Sequence, residues 1–71
     1  MNGHPLTLNE DGRWVVDDWV LTSGSGVEIC IDGTWLSGVI ESSGGKYYWF
    51  SRKDSIQVAL RIGIRARLPG R

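Results

Sequence analysis

One cysteine and one histidine in 71 residues remove several routes to a stable small protein. Cys30 alone cannot close an internal disulfide, and Cys30 with His4 falls short of the four ligands of a structural zinc site. No stretch approaches the roughly 18 apolar residues of a membrane span. The start, Met1-Asn2-Gly3-His4-Pro5, lacks the basic flank and apolar run of a signal peptide. The expectation is a cytoplasmic protein with no membrane segment, no metal and no cofactor. Net charge is also missing: 8 Lys and Arg stand against 8 Asp and Glu, which excludes a basic nucleic-acid tail and an acidic solvating segment. A chain this short buries only about 60% of its unfolded surface. It makes a single domain, spanning 1–71 with 1–5 and 69–71 frayed, held by its apolar core at a net stability of roughly 4 to 10 kcal/mol.

What the chain has is glycine, ten of them, and between them apolar residues that alternate with a period of two. That pattern is β. Leu6 and Leu8, the turn Asn9-Glu10-Asp11-Gly12, and Arg13 to Val16 predict a first hairpin, with Asp17-Asp18 turning the chain again before Trp19-Val20-Leu21. Thr22 to Gly26 is a polar loop. Val27, Ile29 and Ile31 share a face, Asp32-Gly33 supplies the positive φ angles of a tight turn, and Thr34 to Glu41 returns. After Ser42-Ser43-Gly44-Gly45 comes an aromatic strand, Lys46 to Ser51. Asp54 or Ser55 caps one short helical turn in which Ile56 and Leu60 have helical spacing. Leu60, Ile62, Ile64, Ala66 and Leu68 then alternate with Arg61, Gly63, Arg65 and Arg67 as a final strand with a basic outer face. Short strands of this number predict an all-β, SH3-like, partly open barrel of five or six strands.

The segment Leu21-x-x-Gly24-x-x-x-Glu28-Ile29-x-Ile31-Asp32-Gly33-x-Trp35, with Val39-Ile40-Glu41 and Tyr47-Tyr48-Trp49, resembles a family of short bacterial proteins of unknown function. That family is frequent in mobile-element neighbourhoods of Gram-positive bacteria and is taken to have an SH3-like barrel fold. The resemblance covers most of Gly12 to Leu68 and implies a fold without catalytic residues. It departs at Val39, where the family usually carries a basic residue. A fainter likeness is to the plasmid-encoded SH3-like dihydrofolate reductase, whose pore strand reads Val-Gln-Ile-Tyr. Ser55-Ile56-Gln57-Val58-Ala59 is similar, but Ala59 replaces the tyrosine, and Ile29 and Cys30 stand where a lysine is needed.

Candidates for chemistry are few. His4 precedes Pro5 near the terminus, Cys30 lies between two isoleucines, Asp17-Asp18 has turn character, and Gly24-Ser25-Gly26 precedes a strand rather than a phosphate-binding helix. No catalytic constellation emerges, so an enzyme is not expected. Four tryptophans exceed what so small a core needs. One of Trp14 and Trp19 is expected to fill the barrel. Trp35, Tyr47 and Trp49 are expected to share a face, either closing the barrel or binding a protein partner.

Charge is segregated along the chain. Residues 1–45 hold seven acids and one base, net −6, and residues 46–71 hold seven bases and one acid, net +6. Two outcomes follow. The halves interleave, with Arg61 or Arg65 beside Glu28, or Arg61, Arg65 and Arg67 form a stripe able to grip nucleic-acid phosphates. A cluster of Asp17, Asp18, Glu28 and Glu41 would instead allow inhibition of a host or rival system by mimicry of nucleic-acid charge. Unpaired strand edges leave a homodimer open. The leading expectation is a non-enzymatic module that binds a protein.

Overall fold

The computed structural model describes residues 3–70; Met1, Asn2 and Arg71, expected to be frayed, lie outside the described residues. Within that span nine strands form: β1 His4–Pro5, β2 Thr7–Leu8, β3 Trp14–Val16, β4 Trp19–Val20, β5 Gly26–Ile31, β6 Thr34–Ser43, β7 Lys46–Ser51, β8 Ile56–Ala59 and β9 Arg65–Arg67. They make a six-stranded sheet in the order β1-β9-β5-β6-β7-β8 and a three-stranded sheet in the order β2-β3-β4. Every pairing is antiparallel. The all-β expectation holds, as two sheets rather than a closed barrel.

Turn chemistry sets the register. Asp32 and Gly33 have φ of 50° and 79° and bring Ile31 opposite Thr34. Gly44 and Gly45, at 59° and 82°, do the same for Ser43 and Lys46. Asp17 and Asp18, both with positive φ, turn Val16 back onto Trp19. Asn9 closes the first hairpin by accepting from the backbone N–H groups of Asp11 and Arg13 at 2.9 Å each. At the start of β5, Gly24 donates to the Ile40 carbonyl at 2.7 Å while Ile40 donates to the Ser25 carbonyl at 2.8 Å. With Gly24 at φ 92°, this is the two-against-one pattern of a glycine bulge. Leu6 makes the other corner: it donates to the Ile64 carbonyl and accepts from Gly63, so the first strand passes from the large sheet to the small one.

The core lies between the sheets: Leu6, Val16 and Leu21 from the small sheet and its connections, and Val27, Ile29, Ile40, Trp49, Leu60 and Ala66 from the large one. Three expectations are corrected. Residues 52–55 form a hydrogen-bonded turn with Ser55 at φ 54° and Ile56 begins a strand, so no helical turn forms; the period-two spacing of Ile56, Val58 and Leu60 outweighs the helical spacing of Ile56 and Leu60. Asp54 serves the turn, its backbone N–H donating to buried Ser51 Oγ at 3.2 Å and its carboxylate accepting from that hydroxyl at 3.1 Å. The last strand shrinks to Arg65–Arg67 because Gly63, at φ 98°, turns the chain and leaves Ile62 68% exposed. Finally, His4 and Pro5 are not frayed but pair with Ala66 and Arg65. Among the described residues no helix is long and apolar enough to cross a membrane.

Candidate binding surface

Register sorts the side chains of the large sheet into two faces. Ile29 is buried and pairs with Leu36, while Ile40 is buried and pairs with Trp49. Residues at odd spacing from these point the other way. Glu28, Cys30, Trp35, Ser37, Val39, Glu41, Tyr48 and Phe50 therefore share the outer face.

Trp35, Tyr47 and Trp49, expected on one face, are divided between the two. Trp49 is fully buried and offers no atom to a partner. Its ring lies diagonally over Gly38 on β6, and its indole N–H donates to the Val27 carbonyl of β5 at 2.8 Å. Gly38 makes this possible, since a Cβ there would collide with the indole and come within 2.6 Å of the Phe50 carbonyl. Tyr47 packs against the same core. Trp35 alone of the three faces outward. Of the other tryptophans, Trp14 packs on the core and Trp19 is 49% exposed.

The arginines are divided as well. Arg67 Nε donates to Glu28 Oε1 at 2.5 Å, and its guanidinium lies 4.1 Å from the centroid of the Trp35 ring. Glu28 Oε2 also accepts from Ser37 Oγ at 3.3 Å. The Arg67–Glu28 pair is only 29% and 25% exposed, which makes it less screened than an ordinary surface pair. Arg65 Nη2 donates to the Gly3 carbonyl at 2.5 Å. Gly3 is tied in by its own backbone: a Cβ would stand 2.9 Å from the Ala66 carbonyl and press on Trp35. Arg61 sits exposed in the turn region before β9. The structure thus brings Arg65 and Arg67 onto one strand, separates Arg61, and places the basic segment beside the acidic one through Arg67 and Glu28.

The remaining candidates are scattered. Asp17 lies in a turn 3.6 Å from His4 Nε2, both side chains about half exposed. Asp17 and Asp18 form the turn between β3 and β4 of the small sheet, while Glu28 and Glu41 lie on the outer face of the large one. Cys30 is half-buried beside Trp35. Gln57 is exposed on the outer face opposite Phe50. Among the described residues no group of three or more His, Cys, Asp or Glu side chains is placed to hold a metal ion.

What the outer face does assemble is apolar surface. Val39 and Phe50 pair directly across β6 and β7, and with Gly38, Glu41 and Arg52 they line a shallow groove of about 430 Å³. Tyr48 continues the row toward β8. Sequence reasoning passed over Val39, Tyr48 and Phe50, although the parity set by the two glycine turns contained them.

Over residues 5–68 the chain matches the family model described as a domain of unknown function, DUF5348. No curated protein and no solved structure matches it.

Proposed function

We propose, for a chain that belongs to the DUF5348 family of unknown function, a non-enzymatic module that engages a protein partner through the outer face of its six-stranded sheet. The observation that carries this reading is the apolar group Val39, Phe50 and Tyr48, with Trp35 farther along the same face of β6 beyond Ser37. It is half-buried on a sheet face over which the described residues place no second layer. Aromatic side chains grouped beside satisfied charges are the composition of an interface centre rather than of ordinary surface. The Glu28–Arg67 pair beside Trp35 supplies a polar rim already neutralised within the chain.

The same pairing weighs against a phosphate grip by Arg65 and Arg67, because a phosphate would have to displace a carboxylate from Arg67. The SH3-like description of the two curled sheets belongs to this proposal. So do a cytoplasmic setting and a mobile-element origin, both resting on the sequence and its resemblance.

The test is affinity capture with the wild-type protein, Val39→Lys and Phe50→Ser, each checked for folding by circular dichroism. Capture of a specific protein by the wild type and its loss in both folded variants is the expected result. Equal capture by the folded variants would sink the reading.

A further inference from the structure

Strand β8 ends the six-stranded sheet, with no strand beyond it among the described residues. The hairpins determine which of its backbone groups face outward. The two-residue turn before β7 closes on the hydrogen-bonded pair Ser43 and Lys46, so Tyr48 and Phe50 direct their N–H and C=O groups to β6. Tyr47, Trp49 and Ser51 then serve β8 through Val58 and Ile56. Gln57 and Ala59 are left pointing away from the sheet. Solvent-facing edges are usually blunted by lysine, proline or a bulge. At the opposite end β1 carries Pro5, whereas Ile56-Gln57-Val58-Ala59 carries none of these.

Two grooves flank this open edge. One lies between the sheets and is lined by Leu8, Trp14, Tyr47, Ala59 and Leu60. The other lies on the outer face beside Ser43, Tyr48 and Gln57. Lys46, Tyr47 and Ala59 border both, and Lys46 is the one charged side chain among the described residues lining either. Successive side chains of an extended strand point to opposite faces, so a strand added beside β8 would feed the two grooves alternately.

We propose that β8 receives an extended peptide segment of a protein partner, paired through the backbone of Gln57 and Ala59. That segment presents apolar side chains to the groove between the sheets and a carboxylate to Lys46. This is main-chain recognition at an edge, and it goes beyond the outer-face reading above, whose central residues are Trp35, Val39 and Phe50.

The probe is a display library of random dodecapeptides selected against the full chain. The expected winners alternate apolar residues with a period of two and contain Asp or Glu. Binding of a selected peptide slows amide exchange at Gln57 and Ala59. Gln57→Pro, which removes one outward donor while sparing the bonds to β7, weakens binding about tenfold or more. Lys46→Glu shifts the selection from acidic to basic peptides. Should Gln57→Pro fail to fold, a selected peptide N-methylated at alternate positions tests the same bonds on the wild-type protein, and one of the two registers loses binding. Failure to select any alternating peptide overturns the proposal, as does undiminished binding by folded Gln57→Pro or by both N-methylated registers. Protection of Gln57 and Ala59 that instead tracks concentration-dependent dimerisation of the chain also overturns it, making a second copy the occupant. Val39→Lys leaves peptide capture at β8 unchanged, which separates failure here from failure of the outer-face reading.

Discussion

The two faces of the β6–β7 hairpin are built from the same kinds of residue and do opposite work. On the inner face Trp49 is sealed over Gly38, its indole N–H satisfied by Val27, among aliphatic neighbours from both sheets. On the outer face Val39, Tyr48 and Phe50 are half-buried, Val39 paired with Phe50, while Trp35 lies farther along β6 under Arg67, whose charge Glu28 balances within the sheet. An aromatic count cannot tell these apart. Strand parity can, because a shift of one residue moves a side chain from core to solvent.

If that contrast is right, truncation should be expensive on one face and mild on the other. Trp49→Ala opens a core-sized cavity and leaves the Val27 carbonyl without its donor. The expected cost is about 3 to 5 kcal/mol, enough to unfold much of the population of so small a domain, measured by urea denaturation followed by circular dichroism. Gly38→Ala keeps every side chain but sets a methyl against the Trp49 ring and the Phe50 backbone. Overpacking of this kind costs about 1 to 3 kcal/mol, and Gly38→Ala combined with Trp49→Leu should cost less than the sum of the two changes, since the clash goes with the ring.

Phe50→Ser sharpens the contrast from the other side. It removes a half-buried ring with no hydrogen bond to lose, and stability should fall by about 1 kcal/mol. Glu28→Gln is the mildest change. It leaves Arg67 over Trp35 with a neutral acceptor, and the expected loss is about 0.5 to 1 kcal/mol, shrinking as salt is raised in a denaturation series.

Much of this partition was legible in the sequence. Asp32-Gly33 and Gly44-Gly45 are two-residue turn signals, and accepting both places Cys30 opposite Trp35, then Val39 opposite Phe50 and Ile40 opposite Trp49. Following that parity from buried Ile29 would have put Trp49 inside and Trp35 outside. Grouping the three aromatics by spacing within each strand, without carrying register across both turns, joined Trp35 to the wrong partners. The helical reading of Asp54 to Leu60 failed for a related reason: local capping residues competed with a β alternation that tertiary pairing with β7 rewards.

Other features had no readable signal. The exposure of Ile62 depends on the turn at Gly63, which interrupts an otherwise unbroken alternation. The pairing of Glu28 with Arg67, rather than with Arg61 or Arg65, depends on which residue of β9 falls opposite β5. That register joins residues 39 positions apart in the sequence, and no nearby residue marks it. The open edge at β8 likewise appears only once the sheet order is known, since no local pattern marks a strand as the last one.

The division between the faces is tested most directly by hydrogen exchange at the tryptophan indoles, followed in two-dimensional NMR. The Trp49 indole N–H should exchange only when the whole domain opens, about a thousandfold or more slower than a free indole for the roughly 4 to 10 kcal/mol expected of a chain this size. The Trp35 indole should exchange within about tenfold of a free indole. Similar rates for the two, or slower exchange at Trp35 than at Trp49, would contradict the assignment of one face to the core and the other to recognition.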